Sequence, residues 1–195
     1  MEQINTKDKL LNAASKLFST QGYYSTSLSQ ITKESNAPRG SIYYYFPEGK
    51  EQLAREAIKK TGEKIKSYME ESLALKEDAA LAIHNHIKTA AIKMESKMLN
   101  GNTDNTDISL AAMSSEVWSS NELLRQACEE VYEEWEQVYA DKLVSSGYDP
   151  EEAKRLGVAI QAWTEGAYVL SLSKKDISPI LAVSEQILKL LTKND

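Results

Sequence analysis

"GSIYYYFPEGKEQL", residues 40–53, is the stretch whose reading decides the fold. Three consecutive tyrosines, Tyr43 to Tyr45, run into Phe46, a Pro-Glu-Gly break and Lys50, and Arg39 stands just before the stretch. Burying a tyrosine calls for a partner for its hydroxyl, so a cluster of three is costly in a core. On a helical wheel Ile42 and Phe46 lie one above the other and face inward, Gly40, Ser41 and Tyr44 point away, and Tyr43 and Tyr45 flank them. The outward face is flat and rich in hydrogen-bonding groups, which suits phosphates, thymine methyls and base edges. Gly40 allows the start of the helix to approach another surface closely. Lys50 with the free N–H groups of the helix that follows makes an anion site. The competing reading is that the tyrosines pack against the first helix and the body; for Tyr45 the two readings weigh evenly.

Working outward, the period is helical throughout. Residues 5–21 place Leu10, Ala13, Ala14, Leu17 and Phe18 on one apolar stripe, closed by Gly22. "STSLSQITKES" offers Ser27 and, three residues on, Gln30, the pattern of a capping box; this short helix ends near Asn36. A third short helix is entered through Pro38, and a long fourth begins after Gly49, with Gly62 as a weak point inside it. Two short helices joined by a tight turn behind a supporting helix describe a helix-turn-helix module. Further amphipathic helices are expected at 77–99, 107–117, 120–146, 150–173 and 177–192, separated by segments rich in Gly, Asn, Asp, Ser or Pro. No strand-like alternation of useful length, internal repeat or low-complexity tract interrupts them.

Residues 4–60, through "LLNAASKLFSTQGYYSTSLSQIT" and "PRGSIYYYFPEGKEQL", resemble the DNA-binding domain of the TetR/AcrR family of bacterial transcriptional regulators. The second stretch is similar to the subgroup typified by lincomycin-resistance repressors. The resemblance implies an all-α fold of about nine helices, with a three-helix DNA-binding domain at 1–48 and a helical ligand-binding and dimerisation domain at 49–195. It implies a homodimer on a palindromic double-stranded DNA operator, released by a small, aromatic or hydrophobic effector. Carried over by position, Thr26 and Ser27 become phosphate contacts at the start of helix 2. Arg39, Gly40, Ser41, Tyr43 and Tyr44 fall on the recognition helix, and Tyr45 and Lys50 on the backbone clamp. Three departures stand out: Asn36 where a turn glycine is common, Pro38 in place of a capping serine, and a Phe-to-Lys segment one residue longer than usual, which bears on where Lys50 lands.

In the body, Tyr68, Met69, Met94, Met98, Trp118 and Trp135 combine flexible and polar-tipped side chains suited to an adaptable effector cavity, against the plainer reading of solid core. The last two long helices carry Trp163, Ala167, Leu170, Ile180, Val183 and Ile187, expected at the dimer interface by the resemblance and otherwise ordinary core.

Composition fits a globular protein: of 195 residues, 42% are hydrophobic and 27% charged. The formal net charge of −6 divides into about +3 over residues 1–60 and about −9 over the rest, which permits one localised anion-binding face on an acidic body. A single cysteine, Cys128, forms no internal disulfide, and neither a secretory pattern nor an apolar run of spanning length is found, so a cytoplasmic location without membrane attachment is expected. No cofactor or metal is expected. His84 and His86, two apart, point to opposite sides of a helix, and neither has a glutamate three residues before it for a di-iron site. Lacking a Gly-x-Ser-x-Gly elbow or a glycine-rich phosphate loop, the chain does not read as an enzyme. A helical adaptor that binds only proteins would leave the tyrosine face idle; an activator of the same fold is the remaining alternative to a repressor.

Overall fold

The computed structural model describes residues 5–38, 40–100 and 107–192, and within them it contains nine α-helices and no strand. They are α1 (Thr6–Gln21), α2 (Leu28–Ser35), α3 (Gly40–Tyr45), α4 (Lys50–Leu73), α5 (Ala79–Leu99), α6 (Leu110–Val117), α7 (Glu122–Ser145), α8 (Pro150–Lys174) and α9 (Ser178–Thr192). The all-α expectation and its helix count hold.

Capping chemistry sets most of the ends. Asn5 accepts the Asp8 N–H at 2.8 Å and starts α1. The capping box at α2 is formed in both directions: the Ser27 hydroxyl oxygen accepts the Gln30 N–H, and the Gln30 side chain accepts the Ser27 N–H at 2.8 Å. Asn36 closes α2 at φ 51°, ψ 28°, in the left-handed region that its short polar side chain tolerates. Several helices start later than periodicity alone suggests because the residue before each spends its side chain as a cap. Asp78 accepts the Leu81 N–H at 2.7 Å, Ser109 that of Ala112, and Asn121 that of Leu124 at 3.0 Å.

The chain's own contacts gather it into two units, the described residues within 1–64 and 104–131 and those within 65–103 and 132–195. The cut falls inside α4 and α7. The boundary expected after residue 48 therefore lies within the first unit, and α6 belongs with α1 to α3 although some sixty residues separate them in sequence.

In the first unit α1 packs on α2, α3 and α6. Leu10, Ala14, Phe18, Ile31, Ile42, Phe46, Leu53, Ala57 and Val117 fill its core. Gly62 has a packing role there that its helix propensity does not reveal. A Cβ at this position would stand 2.6 Å from Val131 Cγ2, so α4 and α7 touch where only glycine fits. In the second unit α5 lies along α9 and α9 along α8, around Ile83, Ile87, Tyr139, Leu143, Ile160 and Ile187. None of the described helices is long and apolar enough to cross a membrane.

Candidate nucleic-acid interface

Helix α3 has only six residues, and its two sides differ sharply. Ile42 and Phe46 are sealed beneath it, while Tyr43 and Tyr44 are 64% and 79% exposed. Tyr45 is half-buried and meets Tyr44 edge to face, with centroids 4.8 Å apart, which braces the Tyr44 ring. Gly40 is exposed, with nothing within 4 Å of where a Cβ would sit. Ser41 is half-buried, and its N–H donates to the Pro38 carbonyl at 2.9 Å. Arg39 lies outside the described residues. Ser27, at the start of α2, is exposed beyond its capping bonds.

Two expected phosphate contacts are occupied internally. Thr26 is buried; its hydroxyl donates to the Gly22 carbonyl at 2.7 Å and accepts from Gln21 Nε2 at 3.1 Å. The Lys50 ammonium donates to the Tyr23 and Thr26 carbonyls, both at 2.9 Å, and lies 4.2 Å from the centre of the Tyr23 ring. Burial pushes the Lys50 pKa down, and the negative charge of Glu116 works against that shift. The lysine thus closes on the α1–α2 turn. Glu116, on α6, is a partner that sequence reasoning did not find. Its carboxylate accepts the Tyr23 N–H at 2.8 Å and the Tyr24 N–H at 2.7 Å. No local pattern could have signalled it, because it lies more than ninety residues downstream.

The second unit holds most of the expected effector residues. Met69, Met94 and Trp135 are buried, and Tyr68 and Met98 half-buried. Trp118 belongs instead to the first unit, at the C-terminal end of α6, and is 69% exposed. Two further residues join Tyr68. His86 is buried between the rings of Tyr68 (5.4 Å) and Tyr139 (6.2 Å), and among the described residues its Nδ1 and the Tyr68 hydroxyl have no hydrogen-bond partner. Burial, assisted by the Lys93 charge, lowers the His86 pKa to about 4, so the ring is neutral near pH 7. Tyr139 is fully enclosed, its pKa raised by burial, with Thr164 hydrogen-bonded to its hydroxyl. Nearby in sequence, Glu165 is pushed above the usual carboxylate range by burial despite a 2.8 Å bond from the Tyr132 hydroxyl. Among the described residues no group of three or more His, Cys, Asp or Glu could hold a metal ion.

The residues expected at the dimer interface separate into two sets. Trp163 and Leu170 are exposed and Val183 is half-buried. Ala167, Ile180 and Ile187 are instead buried within the protomer, on the sides of α8 and α9 that face its own core, and have no surface to offer a second chain.

Comparison with known proteins agrees with this architecture. Residues 10–57 match the family described as bacterial regulatory proteins, tetR family, and residues 79–186 match the LmrA/YxaF-like transcriptional regulator C-terminal domain. The HTH-type transcriptional regulator YxaF of Bacillus subtilis strain 168 is 40% identical over 190 residues, covering 97% of this chain and 96% of that one. LmrA of the same organism is 38% identical over 189 residues, covering 97% and 98%. A TetR regulator of Legionella pneumophila has the same fold, with a TM-score of 0.78 over 97% of this chain and 99% of that chain at 22% identity. These relatives are transcriptional regulators and not enzymes. The chain belongs to the TetR family of bacterial regulatory proteins, among the transcriptional regulators whose C-terminal domain is LmrA/YxaF-like.

Proposed function

We propose that this regulator is a cytoplasmic repressor: a homodimer that binds a palindromic DNA operator through α3 and leaves it when a small aromatic or hydrophobic effector occupies the second unit. The observation that carries the reading is the pair Tyr43 and Tyr44, held out into solvent by a helix whose other side is sealed. Neither ring belongs to the core sealed beneath α3. In a major groove they reach base edges and thymine methyls, while the open start of α3 at Gly40 brings backbone close to phosphate. Ser27 and Ser29, exposed at the start of α2, supply further hydroxyls for the sugar-phosphate backbone. Thr26 and Lys50 act through the turn they hold and not by direct phosphate contact.

Support for the homodimer comes from α8. Val158, Ala162, Gly166 and Val169 are exposed at spacings of three and four, flanked by Trp163 and Leu170. A mid-helix glycine costs about 1 kcal/mol relative to alanine. Gly166 has nothing within 4 Å of a would-be Cβ, so the protomer gains no close approach in return. A second copy of α8 laid across this patch supplies one, and a symmetric pair follows. Two recognition helices about 34–36 Å apart then match half-sites one helical turn apart. Repression follows from occlusion of any promoter the operator overlaps.

For the effector, the support is the Tyr68, His86 and Tyr139 group, two phenols and a neutral imidazole, which suits an uncharged planar molecule that donates to His86 Nδ1 or accepts from Tyr68. The test of the whole reading is selection of duplexes from a randomised pool, followed by binding measured against salt. A selected palindrome and a strong salt slope are expected. Tyr44→Ala is expected to weaken the selected duplex more than a scrambled one; equal loss on both would remove Tyr44 as a base reader.

A further inference from the structure

The α1–α2 turn, residues 22–26, is gripped from two sides by opposite charges. On one side the Glu116 carboxylate receives two successive backbone N–H groups, from Tyr23 to Oε2 and from Tyr24 to Oε1. Consecutive amides converging on one anion form a nest, which a carboxylate fills with both oxygens. On the other side the Lys50 ammonium binds the Tyr23 and Thr26 carbonyls. The peptide unit of Tyr23 is therefore held at its N–H by an anion and at its C=O by a cation. Gly22 is required on two counts. Its φ of +84° is strained for a residue with a side chain, and a Cβ would stand 2.9 Å from Glu116 Oε2. Two further bonds fix the same segment: the Tyr24 hydroxyl donates to Ser120 Oγ at 2.6 Å, and the Thr26 N–H closes on the Tyr23 carbonyl at 3.1 Å.

From this arrangement we infer that Glu116, with Lys50 opposite it, is a positioning residue for DNA binding: it sets the turn from which α2 starts and thereby the placement of the DNA-contacting helices. The turn ends at Ser27, whose backbone and hydroxyl form the α2 capping box, so a displacement of residues 22–26 displaces the N-cap of α2. Both halves of the grip are charge-assisted, and such bonds are roughly twice as strong as neutral ones. The inference rests on the DNA-binding reading above, but its structural part stands without DNA.

The test uses the full-length chain and two variants, Glu116→Ala, which frees both amides, and Glu116→Gln, which keeps the size but offers one acceptor oxygen and opposes an N–H with its own NH₂. Hydrogen exchange is read first, with no DNA present. The Tyr23 and Tyr24 amides are expected to exchange at least tenfold faster in both variants, while those in the middle of α1 and α8 keep their wild-type rates. Unchanged exchange at Tyr23 and Tyr24, or acceleration spread evenly over the chain, overturns the inference. Binding is read second, on the duplex that the wild type selects from a randomised pool and on a scrambled duplex of equal length. A loss of about tenfold or more on the selected duplex for Glu116→Ala, a smaller loss for Glu116→Gln, and less than threefold on the scrambled duplex are expected. Glu116→Ala binding within twofold of wild type, or equal losses on both duplexes, overturns it. A wild-type chain that selects no duplex removes the DNA-binding reading, and the exchange measurement then still decides whether Glu116 holds the turn.

Discussion

At the scale of single residues, His86 shows how burial governs chemistry. Its pKa of about 4 lies below the ordinary histidine value of 6.5, so between those values the unfolded chain binds the proton that the folded one refuses. The stability this group contributes is therefore complete above pH 6.5 and is lost as the pH falls toward 4, by up to about 3 kcal/mol at one pKa unit per 1.4 kcal/mol. Urea denaturation of the wild type and of His86→Gln, measured at steps from pH 7 to 4, is expected to give a steeper decline for the wild type across that window. Parallel curves would show that His86 titrates as it does in an unfolded chain. The sequence disclosed little of this. It marked His86 only as half of an unworkable metal pair, because burial between Tyr68 and Tyr139 is a property of three helices and not of the local pattern. Lys50 makes the same point: its type and place in the motif were legible, but its partners Tyr23 and Thr26 belong to a turn more than twenty residues earlier.

At the scale of elements, most of the architecture was legible. Helix starts and stops are local chemistry: the Ser27 and Gln30 capping box, the left-handed Asn36 and the break at Gly49 all write themselves within four residues of chain. What was not legible is why a glycine sits inside a helix. Gly62 reads as a weakness on propensity alone, and the structure gives it to a helix crossing. Gly62→Ala improves propensity by about 1 kcal/mol, but it drives a methyl group to 2.6 Å from Val131. A net destabilisation of up to about 2 kcal/mol is expected, since overpacking a close contact costs about 1–3 and the propensity gain offsets about 1. Pairing it with Val131→Ala opens the space, and the double variant is expected to be more stable than the sum of the two single effects. Additive behaviour, read from thermal or urea melts, would show that the crossing relaxes freely.

At the scale of the whole molecule, the same residue type separates self-packing from assembly. Ala167 and Gly166 are neighbours on α8, the first buried in the protomer and the second open to solvent. Gly166→Glu is expected to leave helical content and melting behaviour of the monomer intact while shifting sedimentation to the monomer and weakening the selected duplex. Ala167→Glu is expected to lower the melting temperature outright, because a charge enters a core without a partner. A dimeric Gly166→Glu protein would move the interface off this face of α8. The proposed dimer face was only half legible in sequence. The resemblance pointed to α8 and α9, but the two sides of α8 carry similar apolar residues, and only packing against α7 and α9 distinguishes inside from outside. The grip on the α1–α2 turn has a consequence in time. Tyr24 and its carboxylate partner are separated by 92 residues. At a synthesis rate of 5–20 residues per second, the amides of the turn wait roughly 5–20 s on the ribosome before Glu116 is made. Until then a nascent chain carries α1 to α3 complete in sequence but with the start of α2 held on one side only. On the proposed role of Glu116, competence to read DNA is withheld until more than half of the polypeptide has been translated.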